Sequence, residues 1–204
     1  MPSRPGADAS GGYEAAAEAY QALREGAGIG ADAVSSWARS LRPGAEVLEL
    51  GCGAGVPVTE QLAREGCTVW GIDASPTLLA RFRERFPQFQ SECEDLTASA
   101  MFGRRFDAVI AIGVIFLLPP DAQRDLIQRV GACLAPGGEF LFTAPAVPAR
   151  WNDVLTGKAS HGLGAAAYAT ALDAAGLALL REFADEGENH YYLAGTGRPT
   201  PARP

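Results

Sequence analysis

Two histidines and four scattered cysteines leave this 204-residue sequence short of the raw material for a zinc or thiol-based centre. His161 and His190 stand far apart, and Cys52, Cys67, Cys93 and Cys133 form no C-x-x-C pair, so no metal site is expected. Basic residues are also scarce, 17 against 24 acidic ones, for a formal net charge of −7. A broad nucleic-acid surface draws its affinity from clustered Lys and Arg, so a nucleic-acid partner is not expected. The densest basic run, Arg81 to Arg85, reads as the wet face of a helix. No apolar run approaches the ~20 residues of a membrane span, and no secretory signal pattern opens the chain. A cytoplasmic setting with reduced thiols and no membrane partner is the expectation.

Apolar residues make up 48 % of the chain, enough to bury one full core. Residues 1–12 and 197–204 are rich in Pro, Gly, Ser and Ala and read as disordered tails around a single domain, 13–196. Helical spacing begins at Tyr13 and continues through Ala16, Ala17, Tyr20 and Leu23; Val34, Trp37 and Leu41 mark a second short helix. Strands then read at Glu46–Leu50, Thr68–Ile72, Phe106–Ile112 and Glu139–Thr143, with a weaker one near Phe89–Cys93. Between them lie helices opened by Pro57, by Ser75-Pro76 and by Asp121 as cap. Near the end, a helix at Ala165–Ala175 precedes two strands, Leu177–Phe183 and His190–Ala194, joined by an acidic turn whose shortness favours antiparallel pairing. This order implies a doubly wound α/β sheet with helices on both faces.

The strongest local signal is V-L-E-L-G-C-G-A-G, Val47 to Gly55. A strand ends in an acidic residue, and glycines at alternate positions let a ligand approach the backbone before a helix begins. Gly51, Gly53 and Gly55 do not supply the G-x-G-x-x-G of a dinucleotide fingerprint, since position 56 is Val. In V-W-G-I-D-A-S-P, Asp73 stands at the carboxyl end of the next strand, where a carboxylate can accept from both hydroxyls of a ribose. Its other reading is a helix cap, a role Ser75 already fills.

These runs, with F-D-A-V-I-A and L-A-P-G-G-E-F-L-F after them, resemble the class I S-adenosylmethionine-dependent methyltransferases over about residues 45 to 145. The resemblance implies a mostly parallel seven-stranded sheet whose last-inserted strand is antiparallel. It implies S-adenosyl-L-methionine as cofactor and S-adenosyl-L-homocysteine as product. Glu49 and the loop Gly51, Cys52, Gly53, Gly55 would hold the methionine part and Asp73 the ribose. Adenine would lie beside Ala74 and Ser75, with Glu94 or Asp95 near its amino group. Helices in 13–42 would form a lid from which Tyr13, Tyr20 or Arg24 reaches the methionine carboxylate; core packing and solvation are the alternative reading of these three. Ala111, Ile112 and Gly113 occupy the substrate-facing motif position, without the Asn-Pro-Pro-Tyr or Asp-Pro-Pro-Tyr of amino-methylating relatives.

The remaining candidates lie in 146–196, expected to supply a substrate-side loop, a helix and a terminal hairpin. Trp151, His161, Asn189 and Tyr191 are placed beside a small-molecule acceptor, and His190 is the candidate base. A nucleotide-dependent oxidoreductase, or a cofactor-binding module without catalysis, are the competing functions.

Overall fold

The computed structural model describes residues 8–25, 28 and 30–197. Residues 1–7 and 198–204, most of the expected tails, lie outside the described residues. Residues 8–12 of the expected N-terminal tail are described, with turns in which the Gly11 amide donates to the Asp8 carbonyl and Asp8 accepts from Ser10. Turns continue to residue 16, so the first helix, α1 (Ala17–Glu25), starts later than Tyr13. A second helix, α2 (Ala31–Ala38), follows.

The strand–helix order then unfolds as β1 (Glu46–Leu50), α3 (Val58–Arg64), β2 (Thr68–Asp73), α4 (Pro76–Arg85) and β3 (Gln90–Cys93). Next come β4 (Phe106–Ala111), α5 (Pro120–Cys133) and β5 (Leu134–Thr143). Ser75 starts α4 by accepting from the Leu78 amide at 3.2 Å, with Pro76 in the first turn. Asp121 does not cap α5; Pro119 occupies that position, and Asp121 sits in the first turn, paired with Arg124 at 3.0 Å. β5 begins five residues before its expected start because Leu134 already pairs with Phe106, across a register shift that absorbs Pro136-Gly137-Gly138.

A short antiparallel hairpin, β6 (Ala149–Asn152) and β7 (Ala159–Gly162), occupies the stretch expected to be a loop. Then follow α6 (Ala165–Ala174), β8 (Ala178–Ala184) and β9 (His190–Gly195). The main sheet has seven strands in the order β3-β2-β1-β4-β5-β9-β8, parallel except where β9 pairs with β5 and β8. The expected topology and the antiparallel terminal pair are therefore both present.

Successive strand residues feed opposite layers, as a pleat requires. Val47, Val69, Ala108 and Ile110 pack with α2, α3 and α4 through Val34, Trp37, Leu62, Leu79 and Phe82. Leu48, Leu50, Val109, Phe140 and Phe142 pack with α5 and α6 through Leu126, Ile127, Val130, Tyr168 and Leu172. Tyr191 and Tyr192 divide between the two layers. No helix among the described residues is long and apolar enough to cross a membrane.

One buried polar cluster locks the hairpin to the second layer. Gln123, fully buried on α5, donates to the carbonyls of Leu118 (2.9 Å) and His161 (2.7 Å) and accepts from the Tyr168 hydroxyl at 2.7 Å. Leaving such groups unpaired in a core costs their desolvation in full. Gln123→Ala is expected to lower unfolding stability by roughly 2–4 kcal/mol, measured by urea denaturation. An effect within error of zero would show that the hairpin is held by packing alone.

Candidate active site

The strand order reverses between β1 and β4, and in an open parallel sheet ligands bind outside the carboxyl ends of the strands at such a switch point. Two cavities open there. The first is lined by Gly51, Asp73, Ala74, Asp95, Leu96, Ile112 and Gly113 from the sheet side, and by Ala9 to Gly11, Tyr13 and Tyr20 from the N-terminal segment. The second is lined by Arg24, Phe116, Trp151, Asn189, His190 and Tyr191, with the β5 exit from Thr143 to Val147. Ile112 and Gly113 line both. The Gly113 amide donates to the Thr143 hydroxyl at 2.8 Å, which fixes this shared wall to the end of β5.

Asp73 organises the first cavity. Its carboxylate accepts from the Gly53 amide at 2.7 Å through one oxygen and from the Ser75 amide at 2.8 Å through the other. Each oxygen keeps a second lone pair, so a vicinal diol remains a fitting donor. Burial raises the pKa of this carboxyl, against the lowering effect of the Ser75, Gly53 and Ala74 amides. Of the two acidic candidates beyond β3, Asp95 lines the cavity, holding the Thr97 amide and hydroxyl with Oδ1. Glu94 does not line it, and its Oε2 is buried without a hydrogen-bond partner.

Several of the expected site residues also have structural partners. Ser75 lies beneath the cavity wall as the α4 cap. The Cys52 thiol is turned down against Gly71, where a Cβ would stand only 2.8 Å from Sγ. Gly55 is needed for packing: at φ +82°, a Cβ there would meet the Phe86 ring at 2.4 Å. Gly53 lies under the Tyr20 ring, and Ala111 is buried at the end of β4. Arg24 belongs to the second cavity, not the first, with its Nε buried and unpartnered. His161 lines neither cavity; it pairs with Arg150 in the hairpin. Asn189 and Tyr191 do line the second cavity, but their polar atoms are spent on the turn, where both bond Asp185.

The N-terminal segment is a roof with two anchors. Glu14 accepts from the Ser75 hydroxyl, the Thr77 amide and the Thr77 hydroxyl at the start of α4. Glu18 and Gln21 of α1 hold Arg81, which is therefore not a purely wet face of α4. On the other side, the Tyr13 hydroxyl donates to Asp153 in the β6–β7 turn at 3.0 Å. Tyr13 and Tyr20 meet edge-to-face, centroids 5.5 Å apart. Glu14 was invisible to sequence reasoning because its partners lie some sixty residues away.

The methyltransferase domain family matches residues 47–138, a span that runs from the glycine loop to the start of β5 proper. These residues match the methyltransferase domain family, and the fold around them is shared with solved methyltransferases. Among curated relatives, an uncharacterized methyltransferase of Synechocystis is 36 % identical over 116 residues, 55 % of this chain and 52 % of that protein. The trans-aconitate 2-methyltransferase of Variovorax paradoxus is 38 % identical over 107 residues, 52 % and 40 % of the two chains. The chain thus spans about half or less of the length of these relatives. In fold, it is similar to the SAM-bound magnesium protoporphyrin IX methyltransferase of Synechocystis, with TM-score 0.66 and 18 % identity over 82 % of this chain and 78 % of that one. The amino pentose methyltransferase of Micromonospora echinaspora aligns with TM-score 0.66 and 20 % identity over 82 % and 90 %.

Within the matched span, Glu49 is a strongly perturbed carboxyl. It is 4 % exposed at the end of β1, accepts from the Thr59 hydroxyl at 2.6 Å, and burial pushes its pKa up to about 8 from an ordinary 4.5. Between those two values the unfolded chain releases this proton and the folded chain keeps it, so the Glu49 term weakens the fold as pH rises through that window. Each pH unit costs about 1.4 kcal/mol. In thermal unfolding the parent should lose stability between pH 5 and 8, at up to about 1.4 kcal/mol per unit, and Glu49→Gln should flatten that fall. Identical pH slopes for the two proteins would mean that Glu49 is ionised in the fold.

Proposed function

We propose that this chain transfers a methyl group from S-adenosyl-L-methionine to a small-molecule acceptor, leaving S-adenosyl-L-homocysteine. The observation that carries the reading is the pair of cavities sharing Ile112 and Gly113, one suited to a nucleoside and one to a separate small molecule. The residues present fit the cofactor. Asp73 has two free lone pairs for a ribose, Ala74 and Leu96 offer apolar contact to a base, and Asp95 can accept from an amino group. Glu49 and Arg24 suit the amino-acid end, one a buried carboxyl that a nearby ammonium would ionise, the other a cation with a buried, unpaired Nε. When bound, the cofactor supplies a methyl group already activated by a sulfonium.

The protein's part is then positioning. The roof of residues 8–25 excludes water, and the Ile112–Gly113 wall sets where the two ligands meet. His190 faces the second cavity and is the proposed base for an acceptor that must lose a proton. Within the first cavity the dinucleotide alternative finds no G-x-G-x-x-G loop, and no Lys or Arg is among the residues that line it. A small-molecule acceptor in a cytoplasmic setting completes the proposal.

Calorimetry should find S-adenosyl-L-homocysteine binding and NAD not binding. Asp73→Ala should weaken that binding by ~1.5–3 kcal/mol per lost charge-assisted hydrogen bond. Unchanged affinity would remove Asp73 from the cofactor site, and preferential NAD binding would replace the whole reading.

Glu14 gives a second test, since it touches the roof and α4 but lines neither cavity. Glu14→Ala should speed dissociation of S-adenosyl-L-homocysteine in stopped flow while leaving the sheet folded by circular dichroism. A parent-like off-rate would show that the N-terminal segment does not act as a lid.

A further inference from the structure

The second cavity has a chemistry of its own. Phe116 and Trp151 stand against each other on one wall, ring centroids 5.3 Å apart, and Ile112 and Pro145 add apolar surface. Such walls favour a flat, largely apolar body, because ring faces gain from both area burial and offset stacking. On the same cavity, His190 places Nε2 2.9 Å from Oε2 of Glu182. The two residues sit on neighbouring antiparallel strands, and the Tyr192 ring packs edge-on against the imidazole with centroids 4.8 Å apart. The ring is therefore held by a carboxylate and by an aromatic face.

An ionised carboxylate only accepts, so Nε2 carries the hydrogen and Nδ1 keeps its lone pair. No protein group bonds Nδ1 among the described residues. This is the tautomer of an imidazole ready to take a proton. Of the other charged groups near the cavity, Asp185 is engaged by Asn189 and Tyr191, while Glu188 and Arg24 line it from the turn and from α1.

We propose that Glu182 is a positioning residue that presets His190 as base, and that the acceptor is a planar phenol methylated on oxygen. The inference rests on the methyl-transfer reading above. A carboxylate acceptor is already ionised, and an amine attacks with its own lone pair; neither needs a preset imidazole. A phenol, with an ordinary pKa of about 10, both needs one and lies within its reach. In the step, the phenolic O–H bond breaks and its proton moves to Nδ1 of His190. The freed electron pair forms the O–CH3 bond, the S–CH3 pair stays on sulfur as a neutral thioether, and the imidazolium later releases its proton to water.

The test uses the full chain with methyl-labelled S-adenosyl-L-methionine and probes of matched shape: phenols of graded acidity, aniline, thiophenol and benzoate. Label should pass to phenols and not to aniline or benzoate. Glu182→Gln should lower kcat ~10²-fold, most for the least acidic phenols, with KM and S-adenosyl-L-homocysteine affinity within a factor of about three. Glu182→Asp should restore part of the loss. In 15N spectra of the parent, His190 should show its hydrogen on Nε2, and Glu182→Gln should mix the tautomers. A parent imidazole protonated on Nδ1, a Glu182→Gln variant with parent kcat, or transfer confined to amines, thiols or carboxylates would each overturn the proposal. Failure to bind S-adenosyl-L-homocysteine would instead fall on the proposed function, whereas binding without transfer to any phenol falls on this inference.

Discussion

The carboxylate of Asp73, shared between the Gly53 and Ser75 amides, is the interaction on which the rest of the site depends. One oxygen holds the glycine loop after β1 in place; the other holds the first turn of α4. The two elements would otherwise meet only through apolar contact, which sets distance but not direction. Because the start of α4 is fixed, Ser75 and Thr77 present a defined acceptor-seeking edge, and Glu14 anchors the roof on it. A single buried charge thus links sheet edge, helix start and roof. The energy it forgoes by leaving water is offset by directed hydrogen bonds, and its remaining lone pairs stay open to a ligand.

What the sequence made legible was local. Val47 to Gly55 and Val69 to Pro76 each contain their own strand end, turn and helix start, so a reader needs no distant contact to place them. The sheet order followed from the alternation of elements and the handedness of their crossovers. The hairpin β6–β7 was missed for a physical reason. Its strands are only four residues long: Ala-Arg-Trp-Asn alternates too briefly to stand out, Ala-Ser-His-Gly does not alternate, and the pair is held from outside by Gln123. Gly55 was noticed as part of the glycine loop, but its crowding by Phe86 was not legible, because that ring comes from 31 positions further along the chain. Glu14 and Glu182 bear no motif at all; each gains meaning only from a partner brought close by the fold.

The two layers also divide the chemistry. Glu49 and Tyr191 lie on the face packed by α2 to α4, and His190 and Tyr192 on the face packed by α5 and α6. Alternation along β9 therefore decides which side chain meets which ligand, and a slip of one residue in its pairing with β5 would exchange them. The stacked Phe142 and Tyr192 rings, 4.8 Å apart across that pairing, oppose such a slip.

The double anchoring of the roof has a kinetic consequence. Residues 8–25 close the first cavity by gripping α4 on one side and the β6–β7 turn on the other, whereas the second cavity lies beside the exposed Val147 at the β5 exit. If the segment acts as the proposed lid, traffic through the first requires both grips to release, whereas neither grip lies over the second. For the proposed reaction this imposes a queue: the nucleoside enters first and leaves last, and each acceptor comes and goes beneath a roof that is already shut.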